Sequence, residues 1–215
     1  MIDVLLVDDH ELVRSGIRRL LNDAKGIRVV GEAASGEEAI SLAASLRPHV
    51  VLMDVRMPGI GGLEATRKLL RVSPETRVVV VTALQDEPFP TRLLQAGALG
   101  YVTKGSGVEE MVRAIRTVNA GQRYISPQVA QQIALRHIVG EEPGPFDGLS
   151  EREMQVLLMI TAGRKVQDIS DKLCLSPKTV NSYRYRLFEK LGVQNDVELT
   201  RLALRHGLIE TEDPK

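Results

Sequence analysis

The amino-acid sequence predicts a doubly wound α/β domain with a five-stranded parallel sheet, followed by an all-α domain of four helices. In residues 1–120, short apolar runs alternate with longer stretches that have helical spacing, which is typical of strand–helix repeats. Beyond residue 148 the apolar spacing is helical throughout, and a segment rich in glycine and proline separates the two patterns.

The five predicted strands are short, apolar and largely β-branched, and they cover residues 2–7, 27–31, 50–53, 78–81 and 99–102. Continuous apolar strands of this kind are buried on both faces, as in a parallel sheet covered by helices. The helix predicted around residues 91–95 has the weakest signal, because Pro88 and Pro90 lie at its start.

Three segments follow from these patterns: a first domain over 1–120, a linker over 121–147, and a second domain over 148–210. Ser126-Pro127 predicts a short helix inside the linker, and glycine and proline supply five of the nine residues in 140–148. The second domain has predicted helices at about 150–162, 166–173, 177–191 and 196–206. Ser150 and Glu153 form a capping-box pattern at the first of them.

Composition indicates a globular cytoplasmic protein without a membrane partner. The chain of 215 residues is 43% hydrophobic and 26% charged with a net charge of zero, and no apolar run approaches the roughly 20 residues of a membrane helix. The single cysteine, Cys174, excludes an internal disulfide and a cysteine-rich zinc site. Residues 164–190 hold seven basic and three acidic side chains, a local excess that favours nucleic acid only if a DNA-binding motif lies there.

Polar side chains follow the predicted strands at their carboxyl ends, where ligands bind in doubly wound sheets. They are Asp8, Asp9, Asp54, Thr82 and Lys104. Three carboxylates close together repel one another unless a cation neutralises them, and hard oxygen ligands suit Mg²⁺. His10 adjoins the acid pair, but a single exposed histidine is not predicted as a ligand.

The first domain resembles the receiver domain of bacterial two-component response regulators, which has a flavodoxin-like fold. The matching words are Val7-Asp8-Asp9-His10, Met53-Asp54-Val55-Arg56-Met57-Pro58-Gly59, Thr82-Ala83 and Gly100-Tyr101-Val102-Thr103-Lys104. The resemblance implies that Asp54 accepts a phosphoryl group from a sensor histidine kinase. It also implies that Mg²⁺ is held by Asp9, Asp54 and the backbone carbonyl of Arg56, with Asp8 acting through water. Thr82 and Lys104 would contact the phosphoryl oxygens, and Tyr101 would be the switch aromatic.

Two enzyme or receptor alternatives are disfavoured by the same residues. A phosphatase of the haloacid-dehalogenase kind needs an acid two residues after its nucleophile, and that position is Arg56. An autoinducer receptor needs a ligand pocket in the first domain, where the three acids lie instead. The sequence also departs from common receivers, because Gly61 replaces an aspartate and Gly105 follows Lys104 where proline is usual.

The helix that begins at Ser176-Pro177 has two faces. Val180, Leu187 and Leu191 share one stripe at 100° per residue. The opposite polar stripe contains Lys178, Asn181, Ser182, Tyr185 and Glu189, with Tyr183 and Arg186 at its margins. Asn and Ser side chains can hydrogen-bond to base edges, and Lys and Arg side chains can bind phosphates, so this stripe could contact DNA. The alternative is that the stripe is only the solvent-exposed face of an amphipathic helix.

The second domain resembles the LuxR-type four-helix DNA-binding domain over about 146–210. Helix 166–173, the Leu175-Ser176 turn and helix 177–190 match its helix-turn-helix, although Tyr183 stands where the family usually has histidine. The predicted DNA contacts are Lys178, Thr179, Asn181, Ser182, Tyr183, Tyr185, Arg186 and Lys190.

Receiver plus LuxR-type domain is the NarL/FixJ architecture, and the segment 176–200 is similar to the GacA/UvrY group. This resemblance implies a transcriptional activator that is switched by phosphorylation. The activator would bind the promoters of small regulatory RNAs and act there together with RNA polymerase. It further implies a homodimer when the protein is phosphorylated or bound to DNA, in which helix 196–206 pairs with its mate. No enzyme activity of its own is expected.

Overall fold

The computed structural model describes residues 1–57, 59–82, 89–139 and 144–209. The chain divides into two compact units, Met1–Glu142 and Pro143–Lys215. Within the described ranges, no helix combines the length and the apolar character needed to span a membrane.

The first unit is built on a parallel sheet with the strand order β2-β1-β3-β4-β5-β6. The strands are β1 (Ile2–Val7), β2 (Ile27–Ala33), β3 (Val50–Met53), β4 (Arg77–Thr82), β5 (Gly100–Thr103) and β6 (Tyr124–Ile125). The first five agree with the predicted strands to within two residues at each end, and the doubly wound fold is confirmed.

The sheet has a sixth strand, so the predicted count of five was too low. The Tyr124 amide donates to the Leu99 carbonyl at 2.9 Å, and the Ser126 amide donates to the Tyr101 carbonyl at 2.9 Å. Two residues are too few to show a strand periodicity in sequence, so this pairing could not be predicted. The first part of the segment assigned to the linker therefore belongs to the sheet.

In the described part of this unit, six helices accompany these strands: α1 (Glu11–Asn22), α2 (Gly36–Leu46), α3 (Gly61–Val72), α4 (Phe89–Gln95), α5 (Val108–Asn119) and α6 (Pro127–Val139). Alternate strand residues such as Leu6, Leu52 and Val79 form a buried cluster with Leu21 of α1 and Ile115 of α5. Helices α2 and α3 contact each other elsewhere on the sheet. Burial on both faces explains why the strands read as continuous apolar runs.

The second unit contains four helices in the described residues: α7 (Glu151–Thr161), α8 (Val166–Leu173), α9 (Pro177–Leu191) and α10 (Asp196–Arg205). The predicted capping box is present. Ser150 Oγ accepts from the Glu153 amide, and Glu153 Oε2 accepts from the Ser150 amide. Ser176 caps α9 with its side chain, which accepts from the Thr179 amide, and Pro177 lies in the first turn. Helix α9 packs on α7 and α8, which gives the predicted helix-turn-helix.

Candidate functional site

Adjacent strand ends bring the predicted carboxylates together. The Asp8 amide extends β1 by donating to Ala33, and the Asp54 amide extends β3 by donating to Val7 at 2.9 Å. Because β1 and β3 are neighbours in the sheet, both aspartates lie at the same edge. Each residue is only 2% exposed, so two acidic groups are buried side by side.

Lys104 neutralises this pair from the end of β5. Its amide donates to the Thr82 carbonyl at 2.8 Å, which continues the β4–β5 pairing by one residue. Its ammonium Nζ lies 2.7 Å from Asp54 Oδ2 and 2.8 Å from Asp8 Oδ2. The predicted lysine thus bridges both buried acids, even though glycine follows it where receivers commonly have proline.

The surroundings shift the pKa of both partners in this bridge. Burial raises the pKa of Asp54 above its ordinary value near 3.8, and the hydrogen bond and charge of Lys104 oppose that rise without cancelling it. Burial by itself would lower the pKa of Lys104, but its bonds to Asp54 and Asp8 outweigh this and leave that pKa raised. Lys104 is therefore held as a cation at neutral pH.

The backbone after β3 fixes the second oxygen of Asp54. Asp54 Oδ1 accepts hydrogen bonds from the amides of Val55 at 2.7 Å and Arg56 at 3.3 Å. A Cβ on Gly62, in the first turn of α3, would lie only 2.1 Å from the Asp54 carbonyl oxygen. This requirement for glycine was not predicted from the sequence, where the Gly61-Gly62 pair was the available signal.

Four side chains of the site form a candidate metal cluster. Ligand atoms of Asp8, Asp9, His10 and Asp54 lie within 4.8 Å of one another. His10 Nδ1 lies 3.0 Å from Asp9 Oδ1, yet this buried oxygen accepts no hydrogen bond. An oxygen left without a donor among carboxylates suits a hard cation. His10, which was not predicted as a ligand, has a side chain that is 66% exposed at the edge of the cluster.

Thr82 and Tyr101 lie on the neighbouring strands. Thr82 ends β4, is fully buried, and pairs with Thr103 in the sheet. Tyr101 is fully buried in β5, where it pairs with Val80. Thr82 thus shares the strand-end edge with Asp54 and Lys104. Pro58 and Ala83, which belong to the matching words, lie outside the described residues.

The second candidate site is the exposed face of α9. Val180 and Leu187 are buried as predicted, whereas Lys178, Ser182, Tyr185 and Arg186 are exposed. Thr179, Asn181 and Tyr183 are partly buried, and Leu191 is also only partly buried. Most of the predicted DNA contacts therefore lie on one accessible surface.

Lys190 differs from the other predicted DNA contacts. Its ammonium lies 2.7 Å from Glu153 Oε2 and 3.3 Å from the Gly148 carbonyl. Burial would raise the pKa of Glu153, but the bonds from Lys190 and Ser150 outweigh it and lower that pKa. Lys190 thus joins the end of α9 to the start of α7, and its contact with DNA stays a prediction.

Comparisons with known proteins identify both domains. The model of the response regulator receiver domain matches residues 4–116, and that of bacterial regulatory proteins of the luxR family matches residues 147–203. The response regulator GacA of Pseudomonas aeruginosa PAO1 is 65% identical over 211 residues, which cover 98% of this chain and 99% of that protein. The response regulator UvrY of Escherichia coli K12 is 57% identical over 213 residues, which cover 99% of this chain and 98% of that protein.

A solved structure is similar over nearly the whole chain. It is RcsB from Salmonella enterica serovar Typhimurium bound to promoter rprA with the phosphomimetic BeF3−, with 27% identity and a TM-score of 0.74. The match covers 94% of this chain and 98% of that one. The relatives are response regulators rather than enzymes, which excludes the alternative of a phosphatase of the haloacid-dehalogenase kind. The chain belongs to the LuxR-family response regulators, in which a receiver domain precedes a helix-turn-helix domain, and within them to the group of GacA and UvrY.

Proposed function

We propose that a sensor histidine kinase phosphorylates Asp54, and that this phosphorylation switches promoter binding by α9. The observation that carries the proposal is the Lys104 ammonium at 2.7 Å from Asp54 Oδ2 within a cluster of three acids. A carboxylate beside a fixed cation can act as a nucleophile toward a phosphoryl group, because the cation offsets the charge that spreads over the phosphoryl oxygens.

The donor set fits Mg²⁺, which takes oxygen ligands and retains several waters. Asp9 and Asp54 would hold the ion with the backbone carbonyl of Arg56, and Asp8 would act through a water. The buried oxygen Asp9 Oδ1, which accepts no hydrogen bond, supports this assignment. When bound, the cation supplies charge neutralisation at the phosphoryl oxygens.

The protein's own groups divide the remaining work. An Asp54 carboxylate oxygen forms the new bond to phosphorus, while the bond from phosphorus to the kinase histidine nitrogen breaks. Lys104 then exchanges its contact with Asp54 Oδ2 for a phosphoryl oxygen, and retains Asp8 as its second partner. The Thr82 hydroxyl donates to another phosphoryl oxygen, and Tyr101 follows that shift as the switch aromatic.

The exposed face of α9 is the proposed reading surface for double-stranded promoter DNA. Lys178 and Arg186 contact phosphates, whereas Asn181, Ser182 and Tyr185 face base edges with Thr179 and Tyr183 beside them. Lys190 supports this helix through Glu153. The DNA-bound promoter complex of the similar protein RcsB supports this mode of binding.

The remaining assignments follow the family. We place the receiver at 1–120 and the DNA-binding domain at 148–210, joined by a linker at 121–147 whose strand β6 extends the receiver sheet. Helix α10, whose Val197 is 62% exposed, pairs with its mate in a homodimer. The regulator works in the cytoplasm as an activator together with RNA polymerase.

A binding titration of the full chain tests the switch. Double-stranded DNA is selected from a random pool with wild-type protein in acetyl phosphate and Mg²⁺, and affinity is then measured with and without acetyl phosphate. Phosphorylation favours the binding-competent state, so affinity for the selected DNA rises in wild type and stays unchanged in Asp54→Asn. An equal response of the two proteins to acetyl phosphate would refute the switch.

A further inference from the structure

Helix α9 carries an arginine that lies beside its polar stripe and points to another helix. Arg184 Nε and Nη2 donate to the two carboxylate oxygens of Asp196 at 2.7 and 2.6 Å. Asp196 is the first residue of α10, and the turn between the helices includes Gly192 in a left-handed conformation. The bidentate pair therefore ties the middle of α9 to the start of α10.

The same guanidinium contacts an aromatic side chain one turn further along α9. The Arg184 Cζ lies 5.5 Å from the centroid of the Phe188 ring, within the range of a cation–π contact. A planar guanidinium that donates from two nitrogens to both oxygens of one carboxylate has a fixed orientation, so it presents a fixed face to that ring. Phe188 is thereby held on the side of α9 that borders α10.

Phe188 in turn contacts an exposed member of the polar stripe. The rings of Tyr185 and Phe188 are edge-to-face, with centroids 6.3 Å apart and an interplanar angle of 85°. Tyr185 is 66% exposed, and this ring contact restricts where its hydroxyl points. The contacts form a continuous path from Asp196 through Arg184 and Phe188 to Tyr185.

We infer that Arg184 is a positioning residue for DNA reading, which fixes the orientation of Tyr185 through Phe188. The inference rests on the proposed function, because it takes the polar stripe as the reading surface. Both members of the Arg184–Asp196 pair are partly exposed, with 29% and 42% of their side chains accessible, so the pair adds little to stability. Its geometry, which satisfies two oxygens at once, serves orientation instead.

Arg186 provides a matched control on the same helix. Its guanidinium lies 5.9 Å from the centroid of the Tyr183 ring, on the other edge of the polar stripe. Arg186→Lys and Arg184→Lys make the same chemical change and keep the net charge. They differ in whether the altered side chain lies on the path to Tyr185.

The first measurement is the NMR spectrum of the free full chain with ¹³C-labelled tyrosine rings. The chain has four tyrosines, and Tyr185→Phe identifies the signal of that ring. Arg184→Lys and Phe188→Leu each shift the Tyr185 ring signal, and Arg186→Lys leaves it in place. A Tyr185 signal that is the same in Arg184→Lys and wild type would overturn the inference.

The second measurement is the affinity ratio between selected and scrambled DNA, with the protein phosphorylated by acetyl phosphate. Arg184→Lys and Phe188→Leu each lower this ratio by about two- to tenfold, the scale of one aromatic contact, with unchanged binding to scrambled DNA. The double variant is no worse than the stronger single variant, because both act on one path. Additive losses, or an unchanged ratio in Arg184→Lys, would overturn the positioning role.

The two measurements separate this inference from the proposed function. If the random pool yields no enriched sequence, the proposed DNA reading fails, while the ring signal reports independently on the path. If selection succeeds and Tyr185→Phe or Arg184→Lys leaves the ratio intact, the proposed function stands and the positioning role is wrong.

Discussion

Lys104 and Asp54 are 50 residues apart in the chain, yet the lysine Nζ lies 2.7 Å from Asp54 Oδ2. The same ammonium lies 2.8 Å from Asp8 Oδ2. One cation thus offsets two buried carboxylates at the carboxyl edge of the sheet, and the nucleophile of the proposed reaction is held beside the group that would stabilise its product.

Replacing Lys104 should impair both the reaction and the fold. In Lys104→Gln, Asp54 and Asp8 lose their common partner, so phosphorylation by acetyl phosphate slows by roughly 100-fold. The free energy of unfolding also falls, because two buried acids remain without a cation. The phosphorylation rate is measured by quenching the reaction at successive times and determining the intact mass, and Lys68→Gln on α3 is the control. A rate equal to that of the control would contradict the role of Lys104.

The stability of the receiver should depend on pH through Asp54. Folding raises the pKa of this carboxyl, so the native state binds its proton more tightly than the unfolded chain does. The free energy of unfolding contributed by Asp54 therefore falls as pH rises from about 3.8 through the raised folded value. Asp54→Asn lacks this component, so its free energy of unfolding rises relative to that of the wild type as the pH increases through this range. Urea titrations of both proteins across that pH range measure the difference, and parallel curves would disprove it.

Asp9 should be needed for the metal. Its buried oxygen without a hydrogen-bond donor is the ligand most available in the cluster, so Asp9→Ala weakens Mg²⁺ binding by at least about tenfold. Calorimetric titration with Mg²⁺ alone, without a phosphodonor, measures the affinity. Asp3→Ala, at the other end of β1, keeps the wild-type value. An unchanged affinity in Asp9→Ala would remove it from the ligand set.

Two lysines of α9 should act on different properties. Lys190→Ala leaves Glu153 buried without its cation, so the second unit loses about 1–2 kcal/mol of stability. Since the pKa of Glu153 is lowered, that stabilisation is present above about pH 4.5 and is lost as pH falls through the folded value. Lys178→Ala keeps its stability but weakens binding to all DNA and lowers the salt slope by about one. Thermal melting measures the stability, and DNA binding at several salt concentrations measures the salt slope. The assignment is wrong if Lys178→Ala lowers the stability and Lys190→Ala lowers the salt slope.

The sequence predicted the strands and helices well where burial imposes a period. Apolar strands buried on both faces and capped helices such as α9 leave signals within a few residues. The two-residue strand β6 leaves none, because its hydrogen bonds to Leu99 and Tyr101 depend on a sheet edge formed by distant residues.

The candidate site was predicted as a set of residues, but not as a set of contacts. The bridge from Lys104 to Asp8, the approach of Gly62 to the Asp54 carbonyl and the pairing of Lys190 with Glu153 each join separate elements. Side-chain spacing on one helix placed Lys190 near the DNA-facing residues, whereas packing against α7 directs its ammonium to Glu153.

The intact mass of the protein after incubation with acetyl phosphate and Mg²⁺ tests the central claim most directly. Wild type gains the mass of one phosphoryl group, and peptide mapping after borohydride trapping locates it at residue 54. Asp54→Asn gains none, although its fold is retained. The same gain in Asp54→Asn, located at Asp8, Asp9 or another carboxylate, would contradict the assignment of Asp54 as the phosphoacceptor.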